Sequence, residues 1–78
     1  MPTVLRIGGY RFFFFSNEAG EPSHIHIQEG KKLAKFWLDP VVIASSSNFK
    51  AFELNQLEKL VIENKKLLQR SWNGYFQF

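Results

Sequence analysis

Thr3-Val4-Leu5-Arg6-Ile7-Gly8-Gly9-Tyr10-Arg11-Phe12-Phe13-Phe14-Phe15-Ser16 is the stretch that decides the fold. Two runs rich in β-branched and aromatic residues, 3–7 and 10–16, flank a glycine pair that tolerates positive φ. That is the pattern of a β-hairpin with a two-residue turn. Such a turn sets the register by arithmetic: Ile7 faces Tyr10, Arg6 faces Arg11, Leu5 faces Phe12 and Val4 faces Phe13. Side chains alternate along a strand. One face therefore holds Leu5, Ile7, Tyr10, Phe12 and Phe14, and the other Val4, Arg6, Arg11, Phe13 and Phe15.

Working outward, residues 17–23 with Gly20 and Pro22 read as a polar loop. A second hairpin follows over 24–28 and 33–38, turning at Gly30-Lys31 with glycine first, as a type II′ turn prefers. Its register sets His26 opposite Lys35 and His24 opposite Trp37, while Ile25, Ile27, Ala34, Phe36 and Leu38 point the other way. Asp39-Pro40 ends the strand, because proline has no ladder donor. Val41 to Ala44 is a candidate fifth strand, and Ser45 to Asn48 reads as loop. From about residue 50 to 76 the pattern is helical. At 100° per residue, Leu54, Leu57, Val61, Leu68, Trp72, Tyr75 and Phe76 form one stripe of core-facing width, interrupted near Asn64 by a kink or a buried amide. The fold class is α+β: an antiparallel sheet of four to five short strands (two hairpins), packed on one face by a long C-terminal helix.

A chain of 78 residues has room for one domain with a marginal core. With no cysteine, neither disulfides nor thiolate zinc sites can reinforce it, which fits a cytoplasmic location. Nine Phe, two Trp and two Tyr supply aromatic packing instead. No apolar run is long enough to span a bilayer, so no membrane partner is expected. The net charge of +3 is a mild bias toward anionic partners.

One helix covers one sheet face. The other face would present Arg6, Arg11, His24, His26, Lys35 and Trp37, with Phe13 and Phe15 among them. Arg6 and Arg11 stand side by side across the hairpin, where like charges repel; an anion held between them would relieve the repulsion. Rings that stack bases, interleaved with cations that hold phosphate, are what a single-stranded nucleic-acid platform needs. Alternatively, the arginine stems simply cover the Phe rings and the face is a dimer interface. His24-Ile25-His26 puts two imidazoles on one face. They could act as base and acid in RNA cleavage, with Arg6, Arg11 or Lys35 stabilising the phosphate charge. As metal ligands they lack a third: Glu18, Glu21, Glu29 and Asp39 are not placed beside them by the register, so no metal and no cofactor is expected.

The residues Met1-Pro2-Thr3-Val4, Arg6 to Glu18, Glu21-Pro22, His24-Ile25-His26, Ala34 to Leu38, Glu63-Asn64, Trp72 and Tyr75-Phe76 resemble, in order and spacing, a small bacterial family catalogued as Domain of Unknown Function 4160. The resemblance implies a cytoplasmic, toxin-like member of a toxin–antitoxin pair, whose cognate antitoxin protein would cover the basic-aromatic face. Two departures stand out. Ser23 replaces a second proline before the first histidine, a change expected to loosen the presentation of His24. Lys50 stands where a serine helix cap is common, forfeiting a capping box worth about 1 kcal/mol and leaving Asn48 to cap.

Two functional readings follow. In the first, the protein binds RNA and cleaves it through His24 and His26, with Arg6, Arg11 and Lys35 on phosphate and Trp37 stacking a base. In the second, it is a non-catalytic interaction module, a homodimer or adaptor using the same face or a sheet edge.

Overall fold

The computed structural model is described over residues 3–15 and 20–76. Five strands, β1 (Thr3–Ile7), β2 (Tyr10–Phe13), β3 (His24–Glu29), β4 (Lys32–Leu38) and β5 (Val41–Ser47), are followed by α1 (Ala51–Glu63) and α2 (Lys65–Tyr75). The sheet is an antiparallel meander in chain order, β1-β2-β3-β4-β5. Both glycine-headed turns form as expected. Gly8 and Gly30 take φ of 57° and 60°, values a side chain would resist, and the next residue does not.

The registers of Arg6 with Arg11, Leu5 with Phe12, His26 with Lys35 and His24 with Trp37 are those the turn lengths dictate. Three expectations about the strands fail. A bulge between Thr3 and Leu5 pairs Phe13 with Thr3 instead of Val4, and Val4 packs against the core. β2 leaves the ladder after Phe13, so Phe14 and Phe15 continue outside it, while Ser16 lies outside the described residues. β5 runs on through Ser45–Ser47, which pair as a strand because β4 offers seven residues to match. The helical region is divided at Asn64, where the sequence places an interruption.

That division has a local cause. Asn64 donates from both its backbone N–H and its side-chain amide to the Leu60 carbonyl, at 3.1 and 2.8 Å, with ψ near 13°. A side chain competing for the helix's own acceptor disfavours regular propagation. α1 lies over β4 and β5, and α2 over β3 and β4.

The core between the layers is Phe12, Phe14, Ile25, Ile27, Ala34, Phe36 and Leu38 from the sheet side, and Leu57, Val61, Leu68, Trp72 and Phe76 from the helices. The predicted stripe is therefore right except at Tyr75, which is exposed while still lying against the Phe14 and Phe76 rings. Phe14 gathers Trp72, Tyr75 and Phe76 within 5.4 Å between ring centroids. Phe12→Ala should cost about 3–5 kcal/mol, most of the stability expected of so small a domain. A urea midpoint within error of wild type would show that Phe12 is not the core residue its complete burial implies.

Lys50 caps α1 without a side-chain acceptor, yet half of the box survives: its N–H donates to Glu53 Oε1 at 3.0 Å. Asn48 does not cap. It adopts φ 70° and donates to the Lys31 carbonyl instead. Glu53 is buried and also accepts from Lys32 Nζ at 2.7 Å, tying the β3–β4 turn to the helix start. The Lys32 hydrogen bond, and then the Lys50 N–H, hold the Glu53 carboxyl below its usual range; the same Lys32–Glu53 bond raises Lys32. A depressed carboxyl stabilises the fold above its unfolded pKa and loses that contribution as pH falls through the folded one. The raised lysine contributes below its ordinary pKa and loses that contribution as pH rises through its folded value. Glu53→Gln should accordingly lower the urea midpoint at neutral pH and flatten its decline below about pH 5. An acid profile parallel to wild type would dismiss the interaction.

Candidate functional site

The face of the sheet away from the helices is built in rows, because cross-strand partners share a face. Thr3, Phe13, His26, Lys35 and Ser45 form one row across all five strands, and Arg6, Arg11, Gln28, Leu33 and Ser47 form the next. His24 and Trp37 begin a third. All six predicted residues thus belong to one sheet, but their environments differ.

Arg6 is exposed. Arg11 donates from Nε to Thr3 Oγ1 at 2.8 Å and lays its guanidinium 4.7 Å from the centre of the Phe13 ring. Among the described residues, neither arginine forms an ion pair with a carboxylate. Phe13 is 3% exposed although no helix covers it: Arg11, Phe15 and His26 do. His26 is half-buried, stacked on Phe13 at 5.4 Å and edge-on to Phe15 at 4.9 Å. Phe15 is 39% exposed.

Lys35 is engaged on two sides. Its ammonium sits 4.6 Å above the Trp37 ring and 2.9 Å from Glu21 Oε1. The register could not place Glu21, which the loop brings to this face, so a carboxylate does stand near the histidine row. Among the described residues no three His, Cys, Asp or Glu side chains cluster as metal ligands would. A groove of about 240 Å³ runs over Phe13, Phe15, His26 and Lys35 and is walled by Leu33 and Ser45–Ser47. The serines were missed because a Ser-Ser-Ser run reads as loop; the seven-residue partner strand was the signal that could have recovered them.

His24 departs furthest from expectation. Its ring is wholly buried, against Trp72 of α2 at 4.7 Å, Trp37 at 5.7 Å and His26 at 5.1 Å. Nδ1 lies 2.9 Å from the Pro22 carbonyl, an acceptor only, so this nitrogen carries the proton. Ser23 does not loosen the segment: its hydroxyl donates to Gln69 Oε1 at 2.9 Å, and its carbonyl accepts from the Leu38 N–H. The two imidazoles are adjacent, but only His26 faces a groove that a ligand could enter.

The class defined here is a two-layer α+β meander with a basic-aromatic outer face. The chain belongs to the family described as a domain of unknown function, DUF4160, whose model matches residues 9–73. No curated protein and no solved structure matches it. Among the described residues, no helix is long and apolar enough to cross a membrane.

The different burial of the two histidines has a direct readout. Diethylpyrocarbonate should acylate His26 well before His24, as resolved by tandem mass spectrometry of the modified peptide. Equal rates would mean that the His24 ring reaches solvent as readily as its neighbour.

Proposed function

We propose that the outer sheet face binds single-stranded RNA. The observation that carries the reading is the pair Arg6 and Arg11, in register on neighbouring strands with no carboxylate partner among the described residues, beside the Phe13–His26–Phe15 cluster. Like charges on facing residues of neighbouring strands are unfavourable, and a phosphate bound between them would relieve that cost. Phe15, 39% exposed, and Trp37, with Lys35 above it, are the rings against which bases would stack. Lys35 reaches phosphate by exchanging Glu21 for it. The Ser45–Ser47 hydroxyls along the groove suit ribose and phosphate oxygens.

The reading is of binding before chemistry. General acid–base cleavage needs both imidazoles within hydrogen-bond reach of the substrate, and His24 would have to leave its cover of Trp72 and Trp37 to act. In the toxin-like version of this reading, a cognate antitoxin protein covers the same face and competes with RNA for it.

Fluorescence anisotropy with a labelled single-stranded RNA oligonucleotide tests the assignment. Arg6→Ala with Arg11→Ala should weaken binding and reduce the slope of log affinity against log salt by about 1.4, at roughly 0.7 for each phosphate no longer neutralised. Phe15→Ala should cost about 1–3 kcal/mol. Removing the same charge from the helix layer, with Lys66→Ala and Arg70→Ala, should leave the slope near wild type. Equal flattening by both pairs would point to general attraction to a basic protein and retire this face. On the same RNA, cleavage by wild type but not by the His24→Ala/His26→Ala variant would restore the catalytic pair.

A further inference from the structure

We propose that β5 is a pairing edge for a second copy of this chain, joining two sheets edge to edge. β5 is the outermost strand, seven residues long, with no charge, proline or glycine. Every residue after Val41 is exposed. Three large apolar side chains, Leu33, Val42 and Ile43, stand 43%, 47% and 39% exposed at this end of the sheet. An edge of this kind presents a row of unpaired backbone donors and acceptors. Native sheets usually blunt it with charge, proline or short length. The opposite edge, β1, is treated in that way: it is shorter, carries exposed Arg6, and is bent by the bulge at Val4.

The occupant follows from charge. Pairing two copies of β1 would bring Arg6 toward its counterpart, whereas no register of β5 on β5 brings charges together. A partner chosen by charge would find nothing on β5 to recognise. An identical copy offers an uncharged apolar strand of the same length. Antiparallel pairing of two copies has its two-fold axis normal to the sheet, so each residue meets one facing the same side. Registers centred on Val42 or on Ile43 set apolar against apolar. The bulge opposite Lys35 and Phe36 bends the strand at Ala44 and directs the pairing to the Val41–Ile43 half.

Two consequences follow. One strand and its flanking side chains bury less than the roughly 800 Å² per partner typical of a stable complex, so the dimer dissociates on dilution. The same two-fold points both outer faces the same way, with the serine walls of the two grooves at the seam. The dimer itself does not rest on the RNA reading, since Arg6, Arg11 and Phe15 belong to the other end of the sheet.

Sedimentation velocity from low micromolar to millimolar protein, without RNA, decides the matter. Wild type should shift from monomer to dimer and stop there, because an isologous contact closes on itself. Val42→Lys and Ile43→Lys, at exposed positions and with unchanged circular dichroism, should remain monomeric throughout. If either fails to fold, Ala44→Lys, exposed and next to the paired half, replaces it. A wild type that stays monomeric overturns the proposal. So does a dimer that survives these lysines, or a series of species growing beyond two.

Discussion

Two turns, each led by a glycine with positive φ, hold the rest of the structure in place. With two residues between strands, the pairing beside each turn is determined, and a slip of one would exchange the two faces of that hairpin. Ile7 meets Tyr10 in the first hairpin and Glu29 meets Lys32 in the second; the β2–β3 ladder joins the two, and Phe12, Ile27 and Ala34 fall in one line on the helix side. The same constraint aligns Phe13, His26 and Lys35 on the other. Neither face could exist without the other, since alternate residues of the same strands build both. The Lys32–Glu53 pair then anchors the second turn to the helix start, so the layer that buries the core is fixed to the hairpin that defines it.

The outer face is held together differently. No helix reaches Phe13, yet it is as buried as a core residue, because Arg11 lies over it while Phe15 and His26 pack against it. Covering an apolar ring does not neutralise an arginine, so this face keeps its charge while it buries Phe13. The guanidinium of Arg11 lies over Phe13, and Arg11 stands opposite Arg6 in the ladder, where like charges are unfavourable. Lys35 is arranged otherwise, with Glu21 already neutralising it. The face therefore has an open cationic end at β1–β2 and a compensated one at β4.

How far this could be read from sequence depends on the range of the information required. Both hairpins, their main registers, the helix stripe and the interruption at Asn64 were legible, because each is decided by neighbours within a few residues. What was not legible needed distant partners. The bulge at Val4 arises in the third dimension, from the core's use of one more apolar side chain. The extension of β5 through three serines overrides local propensity because β4 is long enough to pair them. The burial of His24 depends on Trp72, 48 positions later in the numbering, and alternation alone assigned it to an open face. The candidate site was thus found as a set of residues on one sheet, while the split in their accessibility was not.

The break at Asn64 and the fate of the two edges are linked. A straight helix crosses a twisted five-stranded sheet along one line and cannot lie over all of its strands. Breaking the helix lets α1 follow β4 and β5 while α2 turns over β3 and β4, carrying Trp72 onto His24 and Phe76 onto Phe14. Cover is concentrated at the middle of the sheet, where the largest rings are. What remains uncovered is then set by geometry: the outer face with its arginines, and the free side of β5. The sheet thus has a charged edge at β1, where Arg6 stands, and an uncharged one at β5. One division of apolar and basic residues along a short meander accounts for both.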